Sequence, residues 1–129
     1  MNGKFILDTN IVIALFANDI AVQQRLGATE HVFIPSIVLG ELYYGAYKSI
    51  NIKENISKIN EFAQANSILV CDMKTASHYG RIKNDIRIKG CPIPENDIWI
   101  AALGSQYQFT VVSRDEHFEE IESITIEKW

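Results

Sequence analysis

Short apolar runs alternate along the chain with longer stretches in which apolar residues recur at helical spacing. Five runs rich in β-branched and aromatic residues predict strands at 5–7, 31–34, 68–71, 109–112 and 123–126. Between 51 and 66 the apolar positions Ile52, Ile56, Ile59 and Phe62 follow the period of an amphipathic helix. Helices are predicted at 10–27 (one broken helix or two short ones), 36–48, 51–66, 74–89 and 96–108, with Ser36, Asp72 and Asn96 as capping residues.

This alternation of strand and helix predicts an α/β fold, in which helices cover both faces of a parallel sheet. The runs "FIL" and "TVV" are apolar at every position, which is typical of strands buried on both faces. In open sheets of this kind, ligands bind beyond the carboxyl ends of the strands. Residues that directly follow a strand are therefore the first candidates for a functional site.

Length and composition indicate one ordinary domain over residues 1–129. Hydrophobic residues make up 47% of the chain and charged residues 22%, which argues against disorder. The sequence contains neither an apolar run of membrane-spanning length nor a signal peptide, so we expect a soluble cytoplasmic protein. Cys71 and Cys91 lie 20 residues apart without CxxC spacing and are expected to be reduced thiols.

The overall charge is unlike that of most nucleic-acid-binding proteins, but its distribution is uneven. The net charge is −4 and the pI about 5.3, whereas a nucleic-acid-binding domain usually carries a basic footprint. The segment 74–90 nevertheless holds five of the twelve basic residues. It can be a basic face that meets RNA or an ordinary solvated helix face, and the sequence leaves both interpretations open.

Two acids lie just past the ends of predicted strands. Asp8 comes immediately after the first strand in "FILDTN", and Asp115 comes just past the fourth in "TVVSRDE". Each also has a simple structural interpretation, because Asp8 can cap the next helix and Asp115 can form a turn. Their shared position at strand ends makes both of them candidates for chemistry.

Two further acids stand in apolar surroundings. Glu41 is the only charged residue of "SIVLGELYYGA", and Gly40 and Gly45 beside it provide either room for an ion or substrate, or tight packing. Asp97 in "PENDIWIAALG" falls in the first turn of a helix, where the helix dipole favours a negative charge by about 0.3–1 kcal/mol. Because the residues that follow it are apolar, the carboxylate is expected to face a cleft or the end of the sheet.

Four carboxylates at one sheet edge require a compensating cation. Two of them 4 Å apart repel by about 4 kcal/mol at an effective dielectric constant near 20. Their hard oxygen ligands favour Mg²⁺ or Mn²⁺, since the three histidines, His31, His78 and His117, lack the spacing of a zinc site. Such sites typically hydrolyse phosphodiesters by activating water and stabilising charge on the reacting oxygens.

These motifs, in this order and spacing, resemble the PIN-domain ribonucleases, and most closely the VapC-type toxins of toxin–antitoxin pairs. "FILDTNIVIAL" resembles the first family motif with Asp8, and "IPSIVLGELYYGA" resembles the second with Glu41. "PENDIWIAALGSQYQFTVVSRDEHFEEI" resembles the third and fourth together, with Asp97, Asp115 and a supporting Ser113. "ITIEKW" is similar to the final strand of the family. The resemblance covers nearly the whole chain.

The resemblance implies a three-layer α/β/α sandwich around a five-stranded parallel sheet of order 3-2-1-4-5. It also implies a metal-dependent endoribonuclease that cleaves tRNA or rRNA. On this hypothesis Asp8, Asp97 and Asp115 hold Mg²⁺ or Mn²⁺, while Glu41 binds metal or orients the attacking water. Ser113, Thr9 and Asn10 would support the site, and a basic rim of Lys74, Arg81, Lys83 and Arg114 would meet RNA phosphates.

The same resemblance implies two protein partners. One is a small VapB-like antitoxin that wraps a C-terminal segment over the toxin and directs a basic side chain towards the acids. The other is a second copy of the chain, in a homodimer. Tyr43, Tyr44 and Tyr47 can serve either contact, or they can simply pack in the core.

Other protein classes fit the residues less well. A haloacid-dehalogenase-type phosphatase needs a second Asp two residues after the first, where this chain has Asn10. A response-regulator receiver needs an adjacent acidic pair, and the larger structure-specific DNA nucleases exceed this size. An RNA-processing nuclease outside a toxin–antitoxin pair, or a non-catalytic binding module on the same fold, remains the alternative, although all four acids argue against the module.

Overall fold

The computed structural model describes residues 3–129, and these form a five-stranded parallel sheet of order β3-β2-β1-β4-β5. The strands are β1 Lys4–Leu7, β2 His31–Pro35, β3 Ser67–Leu69, β4 Thr110–Val112 and β5 Ile126–Glu127. The central strand β1 pairs with β2 on one side and with β4 on the other, and Leu7 lies opposite Val112. The predicted fold class and strand order are confirmed, and the ends of β1 and β4 lie together at one edge.

Six α-helices and one 3₁₀ helix connect the strands within the described residues. They are α1 Thr9–Phe16, α2 Ile20–Gly27, α3 Ser36–Tyr47, α4 Ile52–Gln64, α5 Met73–Lys89, α6 Glu95–Tyr107 and the 3₁₀ helix Glu116–Glu120. The predicted helix 10–27 is two helices, because Asn18 has a φ of 61° and Asp19 caps α2 through the Val22 amide. In residues 3–129 no helix is both long enough and apolar enough to cross a membrane.

The predicted caps are correct at α5 and wrong at α3 and α6. The carboxylate of Asp72 accepts from the Thr75 amide at 3.0 Å, and Thr75 Oγ1 accepts from the Asp72 amide at 3.0 Å, a reciprocal capping box. Pro35 and Pro94 occupy the N-cap positions of α3 and α6, and no side-chain bond caps either helix among the described residues. Proline at these junctions fixes the turn into the helix, so α6 begins one residue before Asn96.

Two predicted strands are shorter or shifted in the structure. β3 ends at Leu69, because the chain then leaves the sheet for the Asp72 cap of α5. β5 is confined to Ile126–Glu127, which pair with Val111 and Val112 at the edge of the sheet. The apolar runs that predicted these two strands extend beyond the residues that pair with a neighbouring strand.

Helix α6 is the most buried helix and holds the site against the sheet. Ile100, Ala101, Ala102 and Leu103 have no exposed surface. A Cβ built at Gly104 would lie 2.7 Å from Val111 Cγ2, so glycine allows the helix and β4 to approach this closely. On its other side α6 packs against α5.

Candidate active site

The four predicted acids converge at the carboxyl edge of the sheet. Asp8 directly follows β1, and Asp115 lies three residues beyond Val112 of β4. Glu41 is on α3, which follows β2, and Asp97 is in the first turn of α6. The charges of Asp97 and Glu41 both raise the pKa of Asp8, and those of Asp115 and Glu41 raise the pKa of Asp97. The topology therefore brings together residues up to 107 positions apart in the chain.

Asp8 is a buried carboxylate held by two hydrogen bonds. The Thr9 amide donates to Oδ1 at 2.8 Å, and Ser113 Oγ donates to Oδ2 at 2.7 Å. Only 4% of the residue is exposed, and this burial raises the pKa of Asp8 to about 6, while the two hydrogen bonds lower it. Asp8 is also the N-cap of α1, so the capping interpretation holds alongside the site.

Glu41 faces open space rather than packed core. Its Oε1 accepts from Thr9 Oγ1 at 2.7 Å, which fixes the carboxylate next to Asp8. A Cβ added at Gly40 or Gly45 would meet no atom of the described residues within 4 Å apart from its chain neighbours and its own helix backbone, so tight packing does not explain these glycines. Gly45 instead lines a groove that runs beside Glu41.

Asp97 and Asp115 meet at His117, which its spacing in the sequence had excluded as a metal ligand. His117 Nδ1 lies 2.8 Å from Asp115 Oδ1 and 3.1 Å from Asp97 Oδ2. Burial raises the pKa of Asp97, against the lowering effect of the His117 bond, and the bond to Asp97 raises the pKa of His117. Asp115 caps the 3₁₀ helix, and its Oδ1 accepts from the His117 amide at 3.1 Å, which keeps the two residues together. The only sequence signal was the short spacing in "DEH".

Ser113 connects the two strand-end acids. Besides donating to Asp8, its Oγ accepts from the Asp115 amide at 2.9 Å and lies 3.3 Å from Asn10 Nδ2. The amide of Arg114 in turn donates to Asn10 Oδ1 at 3.3 Å. Thr9, Asn10 and Ser113, predicted to support the site, thus form a hydrogen-bonded frame around Asp8.

Comparison with known proteins identifies the family. The family model of the PIN domain matches residues 5–124. The chain belongs to the PIN-domain family. It is 36% identical to Ribonuclease VapC2 of Haemophilus influenzae and 35% identical to the tRNA(fMet)-specific endonuclease VapC of Salmonella typhimurium, each over 98% of both chains.

Solved structures agree with this PIN-domain assignment. The DNA-bound VapBC of Salmonella typhimurium gives a TM-score of 0.91 at 32% identity, covering 98% of both chains. VapBC2 of Rickettsia felis, bound to a promoter DNA fragment, gives 0.89 at 29% identity over 97% of this chain and 98% of that one. Sequence and fold together place this chain among the VapC ribonucleases.

The predicted basic rim of this PIN domain is divided between two locations. Lys83 pairs with Glu95 at 3.1 Å, two residues from Asp97, and Arg114 pairs with Asp19 at 2.9 Å beside the strand-end acids. Arg81 binds Ser105 Oγ. Lys74 is the second residue of α5, close to the capping Asp72, whose side chain contacts Gln106 at the far end of α6. Arg114, which directly precedes Asp115, is the rim residue that lies beside the acids, and an RNA role for all four stays a prediction.

Tyr44 and Tyr47 are not core residues. Their exposed fractions are 66% and 64%, so the packing interpretation is wrong for both. Tyr43 is half-buried, and its hydroxyl donates to Asn60 Oδ1 at 2.5 Å. The exposed pair on α3 is available for a partner.

The donors of the site suit a divalent cation. Asp97, Asp115 and His117 each offer one ligand atom, and these atoms all lie within 4.8 Å of one another. Asp8 and Asp97 are buried carboxylates whose charged forms are destabilised by desolvation and by mutual repulsion. A bound cation would offset both the desolvation and the repulsion of these carboxylates. The residues therefore fit the divalent metal ion that the PIN-domain family implies.

Proposed function

We propose that this PIN-domain protein is an endoribonuclease of the VapC toxin type, dependent on Mg²⁺ or Mn²⁺, which inhibits translation and is neutralised by a small antitoxin. The observation that carries this proposal is the meeting of Asp8, Glu41, Asp97 and Asp115 at the carboxyl edge of the sheet. The full-length similarity to VapC ribonucleases supports the same reaction class.

Each acid has a distinct role in this proposal. Asp8, Asp97 and Asp115 would hold the cation, and a bound Mg²⁺ or Mn²⁺ would supply water activation and charge stabilisation at the phosphodiester. Thr9 holds Oε1 of Glu41, which leaves Oε2 to bind the cation or to orient the attacking water. Ser113 fixes the carboxylate plane of Asp8.

The proposed substrate is a transfer RNA. Two relatives, from Salmonella typhimurium and Shigella flexneri, are named tRNA(fMet)-specific endonucleases at 35% and 32% identity over 98% of the chain. Initiator tRNA is therefore the first substrate to test, with an elongator tRNA and a ribosomal RNA fragment alongside it. An RNA substrate also accords with the predicted cytoplasmic location.

Asp8→Asn and Asp97→Asn test the active-site assignment. Each change keeps the shape of the side chain but removes a charge that holds the cation, so cleavage of the RNA should fall by at least about 100-fold with Mg²⁺ or Mn²⁺. Asp85→Asn changes an exposed carboxylate on α5 and serves as the matched control. Undiminished cleavage by Asp8→Asn or Asp97→Asn would refute the assignment.

The proposed antitoxin site is the groove beside Glu41. Ile13 and Phe16 of α1, Gly45 of α3 and Ile59 of α4 line it, and 54% of Ile13 is exposed. An apolar peptide segment fits this lining, and a basic side chain on it would reach the Glu41 carboxylate. The gene next to this one should encode a short protein with a DNA-binding N-terminus and an extended tail.

The homodimer is proposed on separate grounds. Tyr44 and Tyr47 expose aromatic surface on α3, and Val70 and Met73 expose aliphatic surface at 61% and 86%. Large exposed apolar residues of this kind often mark contacts between proteins. Light scattering on the purified chain measures its mass directly.

A further inference from the structure

The imidazole of His117 faces the carboxylates of Asp97 and Asp115 with one nitrogen. Nδ1 lies 2.8 Å from Asp115 Oδ1 and 3.1 Å from Asp97 Oδ2. A single N–H points along one direction and cannot make two straight hydrogen bonds. A cation, by contrast, accepts lone pairs from several directions at once, which suits two carboxylate oxygens and one imidazole nitrogen.

The position of His117 is fixed by the fold. Its amide donates to Asp115 Oδ1 at 3.1 Å, at the start of the 3₁₀ helix. The next residue, Phe118, has no exposed surface and anchors this turn in the core. Asp97 is held in the first turn of the buried helix α6. The ring itself is 46% exposed on its side chain, so an ion can approach it from solvent.

A nitrogen donor changes the ion that such a site prefers. Carboxylates and water suit both Mg²⁺ and Mn²⁺, whereas imidazole is a common ligand of transition ions and not of Mg²⁺. We propose that His117 binds the catalytic cation through Nδ1 together with Asp97 and Asp115, and that this nitrogen makes the site select Mn²⁺ over Mg²⁺. This inference rests on the proposed metal-dependent function and adds a ligand to the acidic set.

A second role for His117 predicts the opposite effect on metal affinity. If the ring served only as a positive counter-charge to Asp97 and Asp115, its removal would leave the acids more negative and would tighten the binding of any cation. If the ring is a ligand, its removal weakens Mn²⁺ binding and affects Mg²⁺ much less. The direction of the change therefore separates the two roles.

Pulsed electron paramagnetic resonance on the Mn²⁺-loaded full chain tests the proposal without any RNA. The wild-type protein should show hyperfine coupling of Mn²⁺ to a ¹⁴N nucleus, and His117→Ala should abolish it. His31→Ala removes an exposed histidine at the start of β2, the other end of the sheet, and should leave the coupling unchanged. Absence of ¹⁴N coupling in the wild-type protein would overturn the proposal.

Titration of the same proteins with each ion by calorimetry gives the selectivity. We expect His117→Ala to weaken Mn²⁺ binding at least about tenfold, and Mg²⁺ binding by less than about threefold. His117→Gln, which keeps the length and polarity of the side chain, should behave in the same way. Equal or tighter Mn²⁺ binding by both variants would assign the counter-charge role and refute the ligand.

These measurements also separate this inference from the proposed function. Asp97→Asn should weaken Mn²⁺ and Mg²⁺ together, because it removes an oxygen ligand that both ions use. Nitrogen coupling in a protein that cleaves no RNA would support the ligand and contradict the nuclease. RNA cleavage without nitrogen coupling would support the nuclease and contradict the ligand.

Discussion

At the scale of single residues, the buried carboxylate of Asp8 lowers the free energy of unfolding of the metal-free protein. Its carboxylate is 4% exposed, and burial raises its pKa to about 6 from an ordinary value of 3.8. The folded state therefore binds a proton more tightly than the unfolded state does, and ionising Asp8 opposes folding. The penalty is absent below pH 3.8, grows between pH 3.8 and 6, and is complete above pH 6, where it amounts to roughly 3 kcal/mol.

Asp8→Asn should consequently stabilise the metal-free protein. At pH 7.5 in a chelator, the free energy of unfolding should rise by about 1–3 kcal/mol, because the amide that replaces the carboxylate carries no charge to desolvate. At pH 4 the gain should largely vanish, since Asp8 is then protonated in the folded state. Urea denaturation at the two pH values measures both quantities.

Exposed Asp85 on α5 is the control for this prediction. Asp85→Asn should change the free energy of unfolding little at either pH, because that carboxylate is solvated in both states. A loss of stability in Asp8→Asn at pH 7.5 would instead mean that the bonds from Ser113 and Thr9 outweigh desolvation.

At the scale of helices and strands, the close contact between α6 and β4 positions Asp97. Gly104→Ala would place a Cβ 2.7 Å from Val111 Cγ2, so the Val111 side chain, the helix or the strand must shift. We expect a loss of about 1–3 kcal/mol in the free energy of unfolding. A shift of α6 would also move Asp97 and lower RNA cleavage.

A second glycine gives the matched control for that change. Gly80 lies within α5, and a Cβ there would meet no atom of the described residues within 4 Å apart from its chain neighbours and its own helix backbone. Gly80→Ala should therefore stabilise the protein by about 0.5–1 kcal/mol through helix propensity. Thermal denaturation of both variants measures the difference, and equal effects would contradict the close-contact argument.

Periodicity predicted the elements better than it predicted their ends. Helical spacing identified the helix at 51–66, and the structure has α4 at Ile52–Gln64. The end of β3 and the short β5 depend on which neighbour each strand pairs with, and local composition carries no such information. The start of α6 was missed because Pro94 fixes the turn without a capping side chain.

At the scale of the molecule, topology explains why the meeting of the four acids could be predicted and the position of His117 could not. A parallel sheet brings all strand ends to one edge, so Asp8 and Asp115 follow from the strand pattern alone. His117 reaches Asp97 only because a 3₁₀ helix follows β4, and nothing in the strand pattern indicates that turn. The exposure of Tyr44 could not be predicted either, because it depends on which face of α3 packs against the core.

Metal binding should appear as a gain in stability of the whole chain. An ion that binds only the folded state stabilises it by about 2.7 kcal/mol at one hundred times its dissociation constant, a Tm rise on the order of 10 °C here. Asp8→Asn should begin from a higher metal-free Tm and gain less from Mn²⁺, because the change that relieves burial also removes a ligand. Asp85→Asn should follow the wild-type protein. A Tm unaffected by Mg²⁺ and Mn²⁺, at ionic strength matched with NaCl, would contradict a preformed site, since buried acids at this edge would then gain nothing from a cation.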